Sequence, residues 1–136
     1  MKSFTINKIV SEAIQEDIPN GDVTSLVLID QKTNVSANIK AKENGVLCGS
    51  SIAKQVFKKI DKTLQVNLAK QEGSFIKKNQ TIMTIKGKKI SILQAERTAL
   101  NFLGLLSGIA SKTNHLVSKT KKFKTKICCT RKTLPN

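Results

Sequence analysis

Between Thr5 and Asp17 the apolar residues Ile6, Ile9, Val10, Ala13 and Ile14 recur at helical spacing, a single stripe that predicts an amphipathic helix. Pro19 and the Asn20-Gly21 pair end it, and Asp22 or Thr24 is placed to cap a short following turn. The period then changes to two. Val35, Ala37, Ile39 and Ala41 alternate with polar residues as a half-buried strand, and "GVLCG" continues in extended chain after the Glu43-Asn44-Gly45 turn. A second helix, capped by Ser50 or Ser51, sets Ile52, Ala53, Val56, Phe57 and Ile60 on its apolar face and Lys54, Lys58 and Lys59 on its wet one. Leu64, Val66 and Leu68 form a strand, a polar connection turns around Gly73, and "TIMTIKG" supplies a further strand ending at Gly87. The element order reads as α+β.

The segment "SILQAERTALNFLGLLSGIAS" departs from this simple patterning. Ser91 and Gln94 have the spacing of a capping box, which predicts a helix beginning near Ile92. Ile92, Ala95, Ala99, Phe102, Leu103, Leu106 and Ile109 make its apolar face, while Arg97, Asn101, Gly104 and Gly108 form a second stripe. Mid-helix glycine costs about 1 kcal/mol relative to alanine, so two on one face predict close approach by another backbone, a subunit or a ligand. After Ser111 a lysine-rich amphipathic stretch predicts another helix, and "TKICC" reads as a short strand, with any domain boundary between Lys119 and Lys124.

Composition narrows the class more than the chemistry. The chain has 136 residues, of which 39% are hydrophobic, enough to bury one ordinary core, and no apolar run approaches the roughly 18 to 20 residues of a membrane span. Its amphipathic start has no small-residue cleavage site, which points to a cytoplasmic protein. Three cysteines, two of them adjacent, argue against a disulfide framework, and Cys48 and Cys128 read as small core residues. The net charge of +15 suggests polyanionic partners. All but Arg97 and Arg131 of the 24 basic residues are lysines spread through every segment, and Tyr and Trp are absent, so no specific nucleic-acid surface is indicated.

That scarcity of arginine singles out two places. An exposed helix arginine ordinarily pairs with Glu96 or another nearby acid, but on a glycine-lined face Arg97 could also grip a carboxylate or phosphate bidentately, as lysine cannot. "TRKT", Thr130 to Thr133, is either a solvated loop or an anion-binding turn at the carboxyl end of a strand. His115 has no neighbouring partner in sequence and reads as a helix-surface residue. Glu12, Glu16, Asp17 and Asp22 are explained by helix-end solvation as readily as by an acidic patch.

Together, "EDIPNGDVTS", "AKENGVLCGS", "EGSFIKKNQTIMTIKG", "QAERTALNFLGLLSGIAS" and "CTRKTLPN" resemble, in order and approximate spacing, quinolinate phosphoribosyltransferase, the carboxylating nicotinate-nucleotide pyrophosphorylase. The resemblance covers nearly the whole chain. It implies an enzyme of NAD biosynthesis, a pentosyltransferase that joins quinolinate to phosphoribosyl pyrophosphate with Mg²⁺, giving nicotinate mononucleotide, pyrophosphate and CO₂. It further implies an N-terminal, hammerhead-like α/β sandwich over residues 1–122, then the first strand and loop of an α/β barrel at 123–136, with the rest of the barrel absent. Such enzymes are homodimers in which the first domain of one subunit covers the barrel mouth of the other.

By motif, Arg97 is then the residue that reaches quinolinate across the interface, and Thr130, Arg131 and Lys132 line the site of both substrates. Cys129 stands where family members often carry Asp, and the Mg²⁺ ligands are expected beyond Asn136, so the chain alone is expected to lack turnover. The rival readings are a paralogue associated with molybdenum uptake, a lipoyl-like carrier suggested by "EGSFIKKNQTIMTIKG", and a basic nucleic-acid binder.

Overall fold

A computed structural model describes residues 3–19, 30, 32–130 and 132. Helix α1 (Ser3–Asp17) is followed by strands β1 (Asn34–Lys40) and β2 (Gly45–Val46), helix α2 (Ser50–Ile60), strands β3 (Gln65–Leu68), β4 (Phe75–Ile76) and β5 (Thr81–Lys88), and helix α3 (Lys89–Thr120). The turn and cap expected at residues 20–24 lie outside the described residues.

β5 is the central strand of an antiparallel sheet of order β1-β5-β3, and β2 pairs with β4 in a separate two-stranded ladder. Val35 opposes Gly87 and Ala37 opposes Ile85, with the register shifting between Ile39 and Lys40. Alternation explains which face the helices cover: Val35, Ala37 and Ile39 pack against the core, whereas Ser36 and Asn38 stay exposed. The core joins Val10 of α1, Ala53, Val56 and Phe57 of α2, Leu64 and Val66, Met83 and Ile85 of β5, and Ala95, Ala99 and Leu103 of α3. β4 falls where the sequence pattern predicts only a polar connection, and its pairing with β2, Gly45 to Ile76 and Val46 to Phe75, is what defines it.

Neither predicted serine cap holds. The N-cap of α2 is Gly49, in the left-handed region at φ 89°, and it offers no side chain. Glu72 reaches in instead: its carboxylate accepts the Gly49 N–H at 2.9 Å, the Ser51 N–H at 2.8 Å and the Ser50 hydroxyl at 2.9 Å. Packing also favours glycine at 49, since a Cβ there would lie 2.8 Å from Leu106 Cδ1 and 3.2 Å from the Phe102 carbonyl, and both would have to shift. Burial works to raise the Glu72 pKa, but the donors from Ser51, Ser50 and Gly49 outweigh it and hold the carboxyl below its ordinary value.

The sign of the pH effect follows. Because the folded pKa is depressed, the contribution is present above the unfolded pKa and lost as pH falls through the folded one. Glu72→Gln is expected to cost about 1 kcal/mol at neutral pH, the scale of a solvent-accessible cap. The gap between wild type and variant in urea unfolding should narrow as pH falls through the ordinary glutamate range and below it; a gap that persists unchanged in acid would remove the charge from the cap.

The capping box expected at Ser91 and Gln94 is also replaced. α3 begins at Lys89, and the buried Ser91 hydroxyl donates to Asp61 Oδ2 at 2.9 Å, tying the start of α3 to the C-cap of α2. Nor is there a break after Ser111: α3 runs for 32 residues, about 48 Å of rod at 1.5 Å per residue. Beyond it the strand expected in "TKICC" does not form. Residues 125–130 are irregular and exposed, Cys128 included, because a strand needs a ladder partner and none of the described residues supplies one. Cys48 is only half-buried.

Candidate active site

Arg97 projects from the first half of α3 beside the last residue of α1. Its Nη1 donates to Asp17 Oδ1 at 3.1 Å, while the other carboxylate oxygen of Asp17 accepts the Thr98 hydroxyl at 3.0 Å. The pairing acid is therefore on another helix and is not Glu96. The two sides of the pair differ sharply: the Arg97 side chain is 77% exposed and that of Asp17 15%. One corner of the guanidinium is pinned, and Nε and Nη2 make no hydrogen bond to a described residue. Ala13, Glu16, Asn101, Phe102 and Leu105 complete the wall of a hollow of about 390 Å³ beside it.

Asp17 and Thr98 were not visible as site residues in the sequence, though a signal existed. Acids at the end of a helix oppose its dipole, and α1 closes on Glu16-Asp17 with no base in its last turn. An external partner for one of them is the arrangement that offsets this.

The glycine half of the second stripe behaves differently from expectation. A Cβ at Gly104 or Gly108 would meet nothing within 4 Å among the described residues. The close approach lies one step round the helix, where the Ser111 hydroxyl accepts the Val46 N–H at 2.8 Å and the Ser107 hydroxyl accepts the Cys48 N–H at 3.0 Å and donates to the Cys48 carbonyl at 2.9 Å. The glycines instead open a groove of about 780 Å³ between α3 and the β1–β2 segment, with His115 exposed at its rim.

Of the second candidate cluster, Thr130 and Lys132 are exposed, and the Lys132 N–H donates to Thr130 Oγ1 at 3.3 Å. Arg131 lies outside the described residues. No hydrogen bond or ion pair among the described residues links this cluster to Arg97. No three His, Cys, Asp or Glu side chains among the described residues converge into a metal site, so the described donor set does not fit Mg²⁺. No described helix is long and apolar enough to cross a membrane.

Among the described residues, a three-stranded sheet backed by three helices, the longest presenting a half-tethered arginine, defines an α+β domain of the class found in nicotinate-nucleotide pyrophosphorylase structures. That from Francisella tularensis superposes with a TM-score of 0.93 at 36% identity, over 99% of this chain and 48% of that one. The chain belongs to the family described as "Quinolinate phosphoribosyl transferase, N-terminal domain", whose model matches residues 22–107. A Bacillus subtilis relative described as "Probable nicotinate-nucleotide pyrophosphorylase (carboxylating)" is 34% identical over 99% of this chain and 46% of its own length. One of the same description from Methanocaldococcus jannaschii is 35% identical over 99% and 47% respectively. The chain spans about half the length of the curated relatives it matches.

Proposed function

We propose that this chain is the substrate-closing half of a cytoplasmic enzyme of NAD biosynthesis, a pentosyltransferase that condenses quinolinate with phosphoribosyl pyrophosphate and releases pyrophosphate and CO₂. Residues 1–122 form the covering domain, and 123–136 lead into a phosphoribosyltransferase barrel. Working as a homodimer, each subunit offers Arg97 to the dicarboxylate held at the barrel mouth of the other. Thr130, Arg131 and Lys132 line the same site from the barrel side, and Mg²⁺, held by residues outside this chain, accompanies the phosphorylated substrate.

The observation that carries this reading is the state of Arg97. A guanidinium tethered at Nη1 and otherwise exposed presents its Nε–Nη2 edge, two parallel donors that match a carboxylate. Quinolinate carries two carboxylates and its co-substrate several phosphates. Fixed cations therefore orient both reactants and offset the charge that develops as pyrophosphate departs.

The division of labour is testable on residues 1–136 alone. Incubated with quinolinate, phosphoribosyl pyrophosphate and Mg²⁺, they are expected to form no nicotinate mononucleotide by chromatography. Product accumulating over repeated turnovers would overturn the assignment of catalysis to a second half.

A further inference from the structure

The geometry points to Asp17 as a positioning residue for the dicarboxylate substrate: it acts through Arg97 and is itself locked by Thr98. This rests on the role proposed above for Arg97. Three features carry it. Asp17 is largely buried whereas its partner is exposed, so the carboxylate is the fixed end of the pair and the arginine the presented end. Its two oxygens are divided between two neighbours on α3, Oδ1 receiving Arg97 Nη1 and Oδ2 receiving the hydroxyl of Thr98, which is 4% exposed. With Oδ2 held by Thr98 and the side chain largely buried, the carboxylate is not free to follow the arginine. It defines the direction in which the guanidinium points.

The tether also occupies only one corner of the fork, so it does not compete with a carboxylate approaching along the Nε–Nη2 edge. Arginine is costly to immobilise because of its rotamer freedom, and pinning it before substrate arrives removes part of that cost from binding. The residue sits at the end of α1, 80 positions from Arg97, so the orientation of the binding group depends on the docking of α1 against α3.

The test uses the complete dimeric enzyme carrying this domain, with KM for quinolinate and for phosphoribosyl pyrophosphate measured separately. Asp17→Ala is expected to raise the quinolinate KM about tenfold, the size of one lost charge-assisted orientation, with the phosphoribosyl pyrophosphate KM within about twofold of wild type. Asp17→Asn should recover most of the loss. Its Oδ1 still accepts from Arg97, and its Nδ2 donates to the Thr98 oxygen, so the geometry survives without the charge. Equal impairment by the two variants would mean that charge and not position is what matters, and would overturn the inference.

Arg97→Ala, run in parallel, separates the layers. An unchanged quinolinate KM in Arg97→Ala would overturn the underlying reading. A raised KM there with wild-type behaviour in Asp17→Ala would overturn the positioning role alone. Should Asp17→Ala fail to fold, Thr98→Val carries the question: isosteric and lacking only the lock, it is expected to raise the quinolinate KM about threefold, and an unchanged value would overturn the inference.

Discussion

Replacing Arg97 by alanine in the complete enzyme is expected to lower kcat/KM for quinolinate by about two orders of magnitude, about 2.7 kcal/mol at 1.36 kcal/mol per tenfold. The loss should be larger than for any lysine on the same domain, because the removed group is a planar fork matched to a carboxylate and not a point charge. Folding should be nearly indifferent. The Arg97 side chain is 77% exposed, and the largely buried Asp17 it leaves keeps the Thr98 hydroxyl on its other oxygen, so the cost should stay near the roughly 1 kcal/mol upper end for surface pairs. Thermal melts within a few degrees of wild type, together with the kinetic loss, identify a binding defect. Arg97→Lys should recover little, since an ammonium cannot both keep the tether to Asp17 and offer two parallel donors.

Much of the molecule could be read along the chain because local pattern decided it. The stripe Ile6, Ile9, Val10, Ala13 and Ile14 gave α1, the face Ile52, Ala53, Val56 and Phe57 gave α2, and the alternation from Val35 to Ala41 gave β1. What the pattern missed are interactions whose partners are distant in sequence. Local statistics offered Ser50 or Ser51 as the cap of α2, yet Glu72 fills that role from more than twenty positions away. Ser91 looked like a helix cap and instead bonds Asp61, 30 positions back. In each case a short polar side chain had several possible partners, and the tertiary fold chose.

The long helix shows a second limit. The lysine-rich stretch after Ser111 reads as a separate helix, although Gly104 and Gly108, which each weaken a helix by about 1 kcal/mol, lie before it. Leu103 is buried and Ser107 and Ser111 fasten α3 to the β2 segment, and past Ser111 the helix runs on through exposed residues to Thr120. Arg97 illustrates the third case. Its chemical type and the surrounding "ERTALN" motif were legible, but the acid that holds it was not, since 80 residues separate Asp17 from it. The weak local signal was an acidic pair closing α1 at the wrong end of the dipole.

The central claim is that Arg97 of one subunit completes the site to which Lys132 of the other belongs, and mixing two disabled proteins tests it. Dimers of Arg97→Ala and dimers of Lys132→Ala should each be nearly inactive. When subunits exchange at random, half of the dimers are mixed, and each mixed dimer has one site with both residues intact and one with neither. Activity is therefore expected to rise to about a quarter of wild type, with an unchanged quinolinate KM in the recovered fraction. Mixed dimers that form, as native mass spectrometry would verify, but show no more activity than the two parents would contradict the account.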